Sequence, residues 1–259
     1  AHSPDCTIIV QSGEWAQALG RLEVSCEDGK VTDYAGALVP CASEVVDDAG
    51  IAEIIRTYNK ELEEKLSEVV GESVIALDGE RANVRTKETN LGNLVADVMR
   101  DAGSADFALT NGGGLRASIK QGPITVGDIF NVLPFDNTLV VLEASGADIK
   151  TALERSVSEY PNQLGAFLHV SGLSFEFDPA KAPGERVVSA KEDNNPLDEK
   201  KTYTVATNDF IAAGGDGYDV FKEAKMIFSS GEMLRDVFAR YIKQMGKVSV
   251  GVEGRIVTK

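Results

Sequence analysis

Histidine is nearly absent from this 259-residue sequence: there are two, His2 and His169, far apart along the chain. A two-metal hydrolytic centre needs several His and Asp ligands gathered together, and no such cluster can be drawn from these residues. A G-x-S-x-G elbow for a serine nucleophile and a P-loop lysine for nucleotide phosphates are missing too. The chain by itself shows no obvious catalytic apparatus. His2 is a candidate metal ligand by residue type only, and His169, opening an alternating strand, reads as structural.

Long apolar runs are also lacking. Nothing approaches the ~18 consecutive apolar residues of a membrane-spanning helix, so no membrane span is expected. The start, Ala1-His2-Ser3-Pro4-Asp5-Cys6, has neither the basic region nor the apolar core of a secretory signal. A mature or trimmed form would look the same, so a cytoplasmic home does not follow. Basic residues are outnumbered, 26 Lys and Arg against 41 Asp and Glu, for a net charge of −15. Duplex nucleic acid is a poor partner for such a surface, because neutralising phosphates takes clustered cations. The acidity favours solubility, while a few converging arginines could still hold a small phosphorylated ligand. The three cysteines, Cys6, Cys26 and Cys41, have no C-x-x-C spacing, which argues against zinc. One disulfide, for example Cys26 with Cys41, fits the count, and so do three reduced thiols.

What is present is an ordinary globular composition, 43% hydrophobic and 26% charged, with alternating strand and helix signals. Residues 7–10 and 20–25 read as short strands, with Asp28-Gly29 as a hairpin turn. Asp47 or Asp48 would cap a helix running to about Val69, where Ile51, Ile54, Ile55, Tyr58, Leu62 and Leu66 recur at helical spacing and Gly71 would end it. Further helices are predicted over 91–102, capped by Asn90 and stopped by Gly103, from Thr125, over 147–160 and over 231–245. Strands are expected over 106–110, 138–143, 167–177, 187–190, 203–207 and 254–257, with a polar loop over 192–200. The fold class is α/β or mixed α+β, a mostly buried mixed sheet with flanking helices.

Three stretches could carry chemistry. Asn111-Gly112-Gly113-Gly114-Leu115-Arg116 follows a strand. Its glycines permit positive φ and a close approach of amides or ligand; Asn111 both donates and accepts, and Arg116 is a planar fork for phosphate or carboxylate. Arg81, Arg85 and Lys87 precede the helix cap, against the sense of the helix dipole, a conflict that a bound anion would relieve. Phe135 and Phe210 lie in Pro- or Gly-rich turns and could sandwich a flat heterocycle, with Asp216 near to accept from ribose hydroxyls. Either ring taken singly serves equally well as a core plug.

The motifs Thr89-Asn90-Leu91-Gly92-Asn93-Leu94, Thr110-Asn111-Gly112-Gly113-Gly114-Leu115-Arg116, Val132-Leu133-Pro134-Phe135-Asp136-Asn137-Thr138 and Asn208-Asp209-Phe210-Ile211-Ala212-Ala213-Gly214-Gly215-Asp216-Gly217-Tyr218 occur in this order. Together they resemble the C-terminal domain of the 5′-nucleotidase family, which includes UDP-sugar hydrolases and 2′,3′-cyclic-nucleotide phosphodiesterases. The likeness covers residues 72–259. Residues 1–46 resemble the end of the family's N-terminal metallophosphoesterase domain, and 47–71 its linker helix.

The resemblance implies a phosphohydrolase whose N-terminal domain carries two divalent metals, zinc, manganese or similar, and whose C-terminal domain grips a nucleotide or nucleoside. By position, Phe135 and Phe210 would stack on the base, Asn111, Gly165 and Asn137 would touch it, and Asp216 would bind the ribose. Arg81, Arg85 and Arg116 would meet phosphate or ribose; Lys87 stands where some members have arginine. The metal motifs and the catalytic Asp–His pair would lie upstream of residue 1, so no catalytic residue and no cofactor is expected in this chain, and the N-terminal catalytic domain is its expected partner. Ala1-His2-Ser3 resembles a metal-binding Gly-His-Ser motif with alanine for glycine, which would make His2 a ligand. A periplasmic, secreted or cell-surface location is implied. A nucleoside-binding module without hydrolysis, or a branch of the family acting on a non-nucleotide substrate, remains as the alternative.

Overall fold

The structure, a computed structural model, describes residues 7–14, 16–42 and 45–259, apart from the side chain of Glu61. Contacts divide the chain into two compact units, Ala1–Glu61 and Leu62–Lys259. His2 and Cys6 lie outside the described residues.

The first unit is built on an antiparallel hairpin, β1 (Ala18–Glu27) and β2 (Lys30–Pro40). Its turn is the predicted Asp28-Gly29, both at positive φ (48° and 75°), the pairing that matches strand twist in a two-residue loop. Cys26 pairs with Val31 beside the turn, and the Cys41 N–H donates to Gln17 O at the open end. Both thiols are free and exposed, so the Cys26–Cys41 bridge is not formed. Residues 7–10, expected as a strand, hold only a single bridge at Ile8. Helix α1 (Ala49–Leu66) begins where Asp48 Oδ1 accepts from Ile51 N at 2.9 Å, one of the two predicted caps. It stops short of Val69, because Val69–Ser73 is strand β3 and Gly71 pairs with Ile124 instead of ending the helix.

The second unit continues with α2 (Arg81–Val84), α3 (Asn90–Gly103), β4 (Phe107–Asn111), β5 (Gly122–Thr125), α4 (Val126–Val132), β6 (Thr138–Ser145) and α5 (Gly146–Val157). Then come β7 (Leu168–Ser171), β8 (Leu173–Phe177), β9 (Val187–Glu192), β10 (Asn195–Pro196), β11 (Thr202–Asn208) and α6 (Asp209–Ala212). The chain closes with β12 (Lys225–Met233), α7 (Leu234–Met245), β13 (Lys247–Val248) and β14 (Ile256–Thr258). The strands form a five-stranded sheet in the order β12-β6-β11-β4-β7, a four-stranded sheet β10-β9-β8-β14 and a three-stranded sheet β13-β3-β5. The main sheet is mixed: β11 runs parallel to β4 and antiparallel to β6.

Both faces of this sheet are buried, and alternation along its strands shows why. Ala108, Val141 and Ala206 enter one core with Leu91, Leu94 and Val95 of α3 and Val237 and Phe238 of α7. Their neighbours Phe107, Leu109, Val140, Leu142 and Val205 enter the other, under Ile149, Leu153 and Val157 of α5. Period-two side chains on central strands thus feed two helical layers. Truncating a fully buried member such as Leu94 to alanine costs about 2–5 kcal/mol.

Several elements differ from expectation. Thr89, not Asn90, caps α3, its hydroxyl accepting from Gly92 N; Asn90 instead accepts from Asp78 N at 2.7 Å and donates to Ala76 O. Ser104, not Gly103, takes the left-handed position that closes the helix (φ 47°). The single strand expected over 167–177 breaks at Gly172, and its halves, β7 and β8, join different sheets. The region read as the start of the last helix is the end of β12. Four strand termini meet at one end of the main sheet: Asn111 lies beside Leu168, and Asn208 beside Leu139 next to Thr138. The loops that follow or precede them carry the candidate site.

Candidate functional site

The glycine loop leaves β4 as one tight turn, Gly112–Gly114. Its glycines do not take the positive φ that the sequence reading anticipated. Close approach is the reason for Gly112: a Cβ there would stand 1.9 Å from Val84 O. Two of the loop amides are spent on the chain itself, Gly112 N donating to Phe167 O at 2.7 Å and Gly113 N to Gly165 O at 2.8 Å. They hold the strand-β7 lead-in against the loop and bring Gly165 beside Asn111.

The buried Asn111 donates through Nδ2 to Asp216 Oδ2 at 2.7 Å and accepts through Oδ1 from Asn208 Nδ2 at 3.2 Å. Asp216 sits at φ 55°, an uncommon conformation for a non-glycine residue but one that aspartate tolerates. The loop around it is held from two sides. Arg155 Nε donates to Asp216 O at 2.9 Å, and the buried Tyr218 hydroxyl donates to Ala166 O. Burial pushes the Tyr218 pKa well above its ordinary value, which keeps that donor protonated.

Phe135 and Phe210 are 46% and 43% exposed, so neither is a core plug. Asp209 ties their two loops together: its Oδ1 accepts from Phe210 N at 2.9 Å and from Thr138 N at 3.1 Å. The Phe135 turn is gripped further by Arg235, largely buried in the first turn of α7. Arg235 donates to Phe135 O at 3.2 Å and to Asp136 Oδ1 at 2.7 Å, and its guanidinium lies 4.7 Å over the Phe130 ring. On the other loop the Phe210 ring rests on Gly215, where a Cβ would meet ring carbons at 2.5 Å. Asn208, Asp209, Arg235 and Arg155 were not among the residues singled out from sequence. Only Asn208-Asp209 had a local signal, as a cap pair before the short helix α6.

The cations are arranged unequally. Arg85, half-buried at the end of α2, has its pKa lowered, first by burial and then by Arg81 and Arg116, with Asp216 acting in the opposite direction. Its Nε is buried without a hydrogen-bond partner. Arg116 is exposed, with its guanidinium 5.7 Å from the Phe135 ring. Lys87 is exposed, and the buried carboxylate of Glu88 stands directly before the α3 cap, where the dipole favours an anion.

Arg85, Asn111, Arg116, Phe135, Asn137, Gly165, Phe210 and Asp216 line one cleft of about 430 Å³, together with Gly113 and Gly114. This volume lies within the range of small-molecule sites. Arg81 reaches the cleft only through its field on Arg85. Among the described residues no three His, Cys, Asp or Glu side chains converge to hold a metal ion, and His169 is fully buried, its Nε2 bonded to Val84 O at 3.0 Å. No described helix is long and apolar enough to cross a membrane.

Comparison with known proteins follows the same lines. Residues 69–223 match the family described as 5′-nucleotidase, C-terminal domain. The trifunctional nucleotide phosphoesterase protein YfkN of Bacillus subtilis is 41% identical over 268 residues, covering 98% of this chain and 18% of that protein. The snake venom 5′-nucleotidase of Naja atra is 32% identical, with 96% of this chain and 51% of that protein covered. A crystal structure of a 5′-nucleotidase precursor from Thermus thermophilus superposes over 100% of this chain and 53% of its own, with a TM-score of 0.78 and 40% identity. The chain thus spans about half or less of the length of these relatives. With the family match across the cleft-bearing unit and the same mixed α/β fold in the Thermus structure, the chain belongs to the 5′-nucleotidase family, through its C-terminal domain.

Proposed function

We propose that the unit from residue 62 onward is the substrate-recognition part of a 5′-nucleotidase-type phosphohydrolase, taking a nucleoside or nucleotide in the cleft. The observation that carries this reading is the pairing of two half-exposed phenylalanines with one acidic acceptor and two arginines around a single cleft. In a protein of net charge −15, this is a local cationic pocket with flat apolar walls.

Phe135 and Phe210 stack on the base, a contact of about 1–3 kcal/mol per base. Asn111, Gly165 and Asn137 meet its edge. Asp216 accepts from ribose hydroxyls, and Arg85 and Arg116 take the phosphate, with Arg81 adding to the field. The unpartnered Nε of Arg85 supports this, since a phosphate oxygen would satisfy it. The described residues provide no ligand set for the two divalent ions that the resemblance implies, so no hydrolytic step is assigned to them. Hydrolysis belongs to the metal-bearing domain present in full-length members, and this chain alone is expected to bind without turnover. A periplasmic, secreted or cell-surface setting is in keeping with the venom enzyme among its relatives.

Calorimetric titration of the chain with adenosine and AMP tests the reading. Binding of both is expected, weakened about 5- to 150-fold by Phe210→Ala if stacking contributes the amount above. Wild-type protein that binds neither ligand, or a Phe210→Ala variant that binds as well as wild type, sinks it.

A further inference from the structure

A row of hydrogen bonds runs from α6 into the cleft, bounded by a backbone donor at Ile211 and a carboxylate at Asp216. The Ile211 N–H can only donate, and it donates to Asn208 Oδ1 at 2.9 Å. Asn208 must then turn Nδ2 toward Asn111, where it donates to Oδ1 at 3.2 Å. Asn111 in turn presents Nδ2 to Asp216 Oδ2 at 2.7 Å. An asparagine amide can otherwise be turned end for end. Asn208 and Asn111 are 1% and 4% exposed, so water offers neither a ready alternative partner. The two ends agree on one sense for both amides, and Asn111 delivers a donor to Asp216. One Asp216 oxygen is thereby engaged by Asn111, and its remaining lone pairs belong to the cleft that Asp216 lines.

We infer that Asn208, which does not itself line the cleft, is a positioning and specificity-determining residue. As a neutral amide it meets Asn111 with a donor in place of a competing acceptor, leaves the Asn111 Nδ2 to Asp216, and so keeps Asp216 in place to select ligands whose sugar carries free hydroxyls. The inference rests on the reading of the cleft as a nucleoside site.

Asn208→Asp reverses the row without removing the helix cap. Aspartate caps a helix as well as asparagine does, so Ile211 N keeps its partner. Ionised, the new carboxylate presents only acceptors, one of them against Asn111 Oδ1, and that repulsion favours turning the Asn111 Nδ2 toward it. That turn points Asn111 Oδ1 at the Asp216 carboxylate, acceptor against acceptor, and drives Asp216 from its place. Asn208→Ser also keeps the cap but brings no charge, and it leaves Asn111 free to go on serving Asp216.

The experiment is calorimetric titration of adenosine and 2′,3′-dideoxyadenosine into wild type, Asn208→Asp and Asn208→Ser, with a thermal melt of each. Wild type is expected to prefer adenosine by about tenfold or more, the effect of hydrogen bonds to a charged group. Asn208→Asp is expected to bring the two affinities within about threefold, and Asn208→Ser to keep most of the preference. The inference is overturned if Asn208→Asp keeps the full preference, or if Asn208→Ser loses it as completely, which would make Asn208 a packing residue. Should Asn208→Asp fail to fold while Asn208→Ser folds and discriminates, the conflict of acceptors is expressed in stability and the inference stands; if neither folds, it falls. Wild type that binds both nucleosides equally overturns the inference while leaving the stacked base intact. Wild type that binds neither overturns both.

Discussion

Gly215→Ala separates the shape of the cleft from the stability of the fold. A Cβ at this position would lie 2.5–2.6 Å from three ring atoms of Phe210. Restoring ordinary carbon–carbon contact at ~3.5 Å requires the ring to retreat by about 1 Å. Gly215 is not at positive φ, so the added methyl brings no backbone strain. Phe210 is 43% exposed and can swing outward, which keeps the cost to folding below about 1 kcal/mol. The direction open to it is the cleft that it lines, the space assigned to the base. Stacking contributes about 1–3 kcal/mol per base, so adenosine affinity should fall about 5- to 150-fold. For the second unit's size a loss under 1 kcal/mol lowers Tm by no more than about 2–4 °C. Calorimetry and a thermal melt on the same preparation give both quantities. Unchanged adenosine affinity in a normally folded Gly215→Ala chain would refute the placement of the base against Phe210.

Two further predictions concern residues that hold the cleft from behind. Arg235→Met keeps the buried stem but removes the fork that holds Phe135 O and Asp136; because Asp136 is exposed, the loss is set at about 1–2 kcal/mol. Scanning calorimetry should show Tm lower by about 2–8 °C, and titration should show roughly tenfold weaker adenosine binding; a variant that matches wild type in both removes Arg235 from the account. Burial lowers the His169 pKa from 6.5 to about 4, with the Val84 hydrogen bond, Glu88 and Asp78 acting in the opposite direction. Between those values the unfolded chain binds a proton that the folded chain does not, so this contribution is complete above pH 6.5 and is lost as pH falls toward 4, by about 3 kcal/mol in all. His169→Gln can keep a donor for Val84 O without titrating, so denaturant melts across this window should fall less steeply for the variant; parallel curves would contradict the assignment.

How much of this could be read from the chain depended on how local each cause is. The Asn111–Arg116 loop, the Phe135 turn and the Phe210–Asp216 loop were visible because each motif is a short contiguous string, and eight of the residues named from them and from the resemblance line one cleft. The glycines serve close approach and not the positive φ that their residue type suggests. Gly112 is required by Val84 O, a neighbour 28 positions earlier, and not by its own backbone angle. Thr and Asn are both good caps, so the sequence points to Asn90 for α3 although Thr89, one residue earlier, holds it. What decides between them is the pair of bonds by which Asn90 is recruited to Ala76 and Asp78. Strand β12 went unseen because its Ser229-Ser230-Gly231 stretch does not look like a strand; its partner, β6, lies far back in the chain, and the pairing is interrupted by bulges. Asn208 and Arg235 act across 97 and about 100 residues of sequence, where neither periodicity nor spacing carries a signal.

The most direct test of the central claim is a crystal structure of this chain with AMP. The adenine is expected between the Phe135 and Phe210 rings, the ribose hydroxyls on Asp216 and the phosphate turned toward Arg85 and Arg116. Adenine bound away from both rings, with the cleft of Asn111 and Asp216 unused, would contradict it.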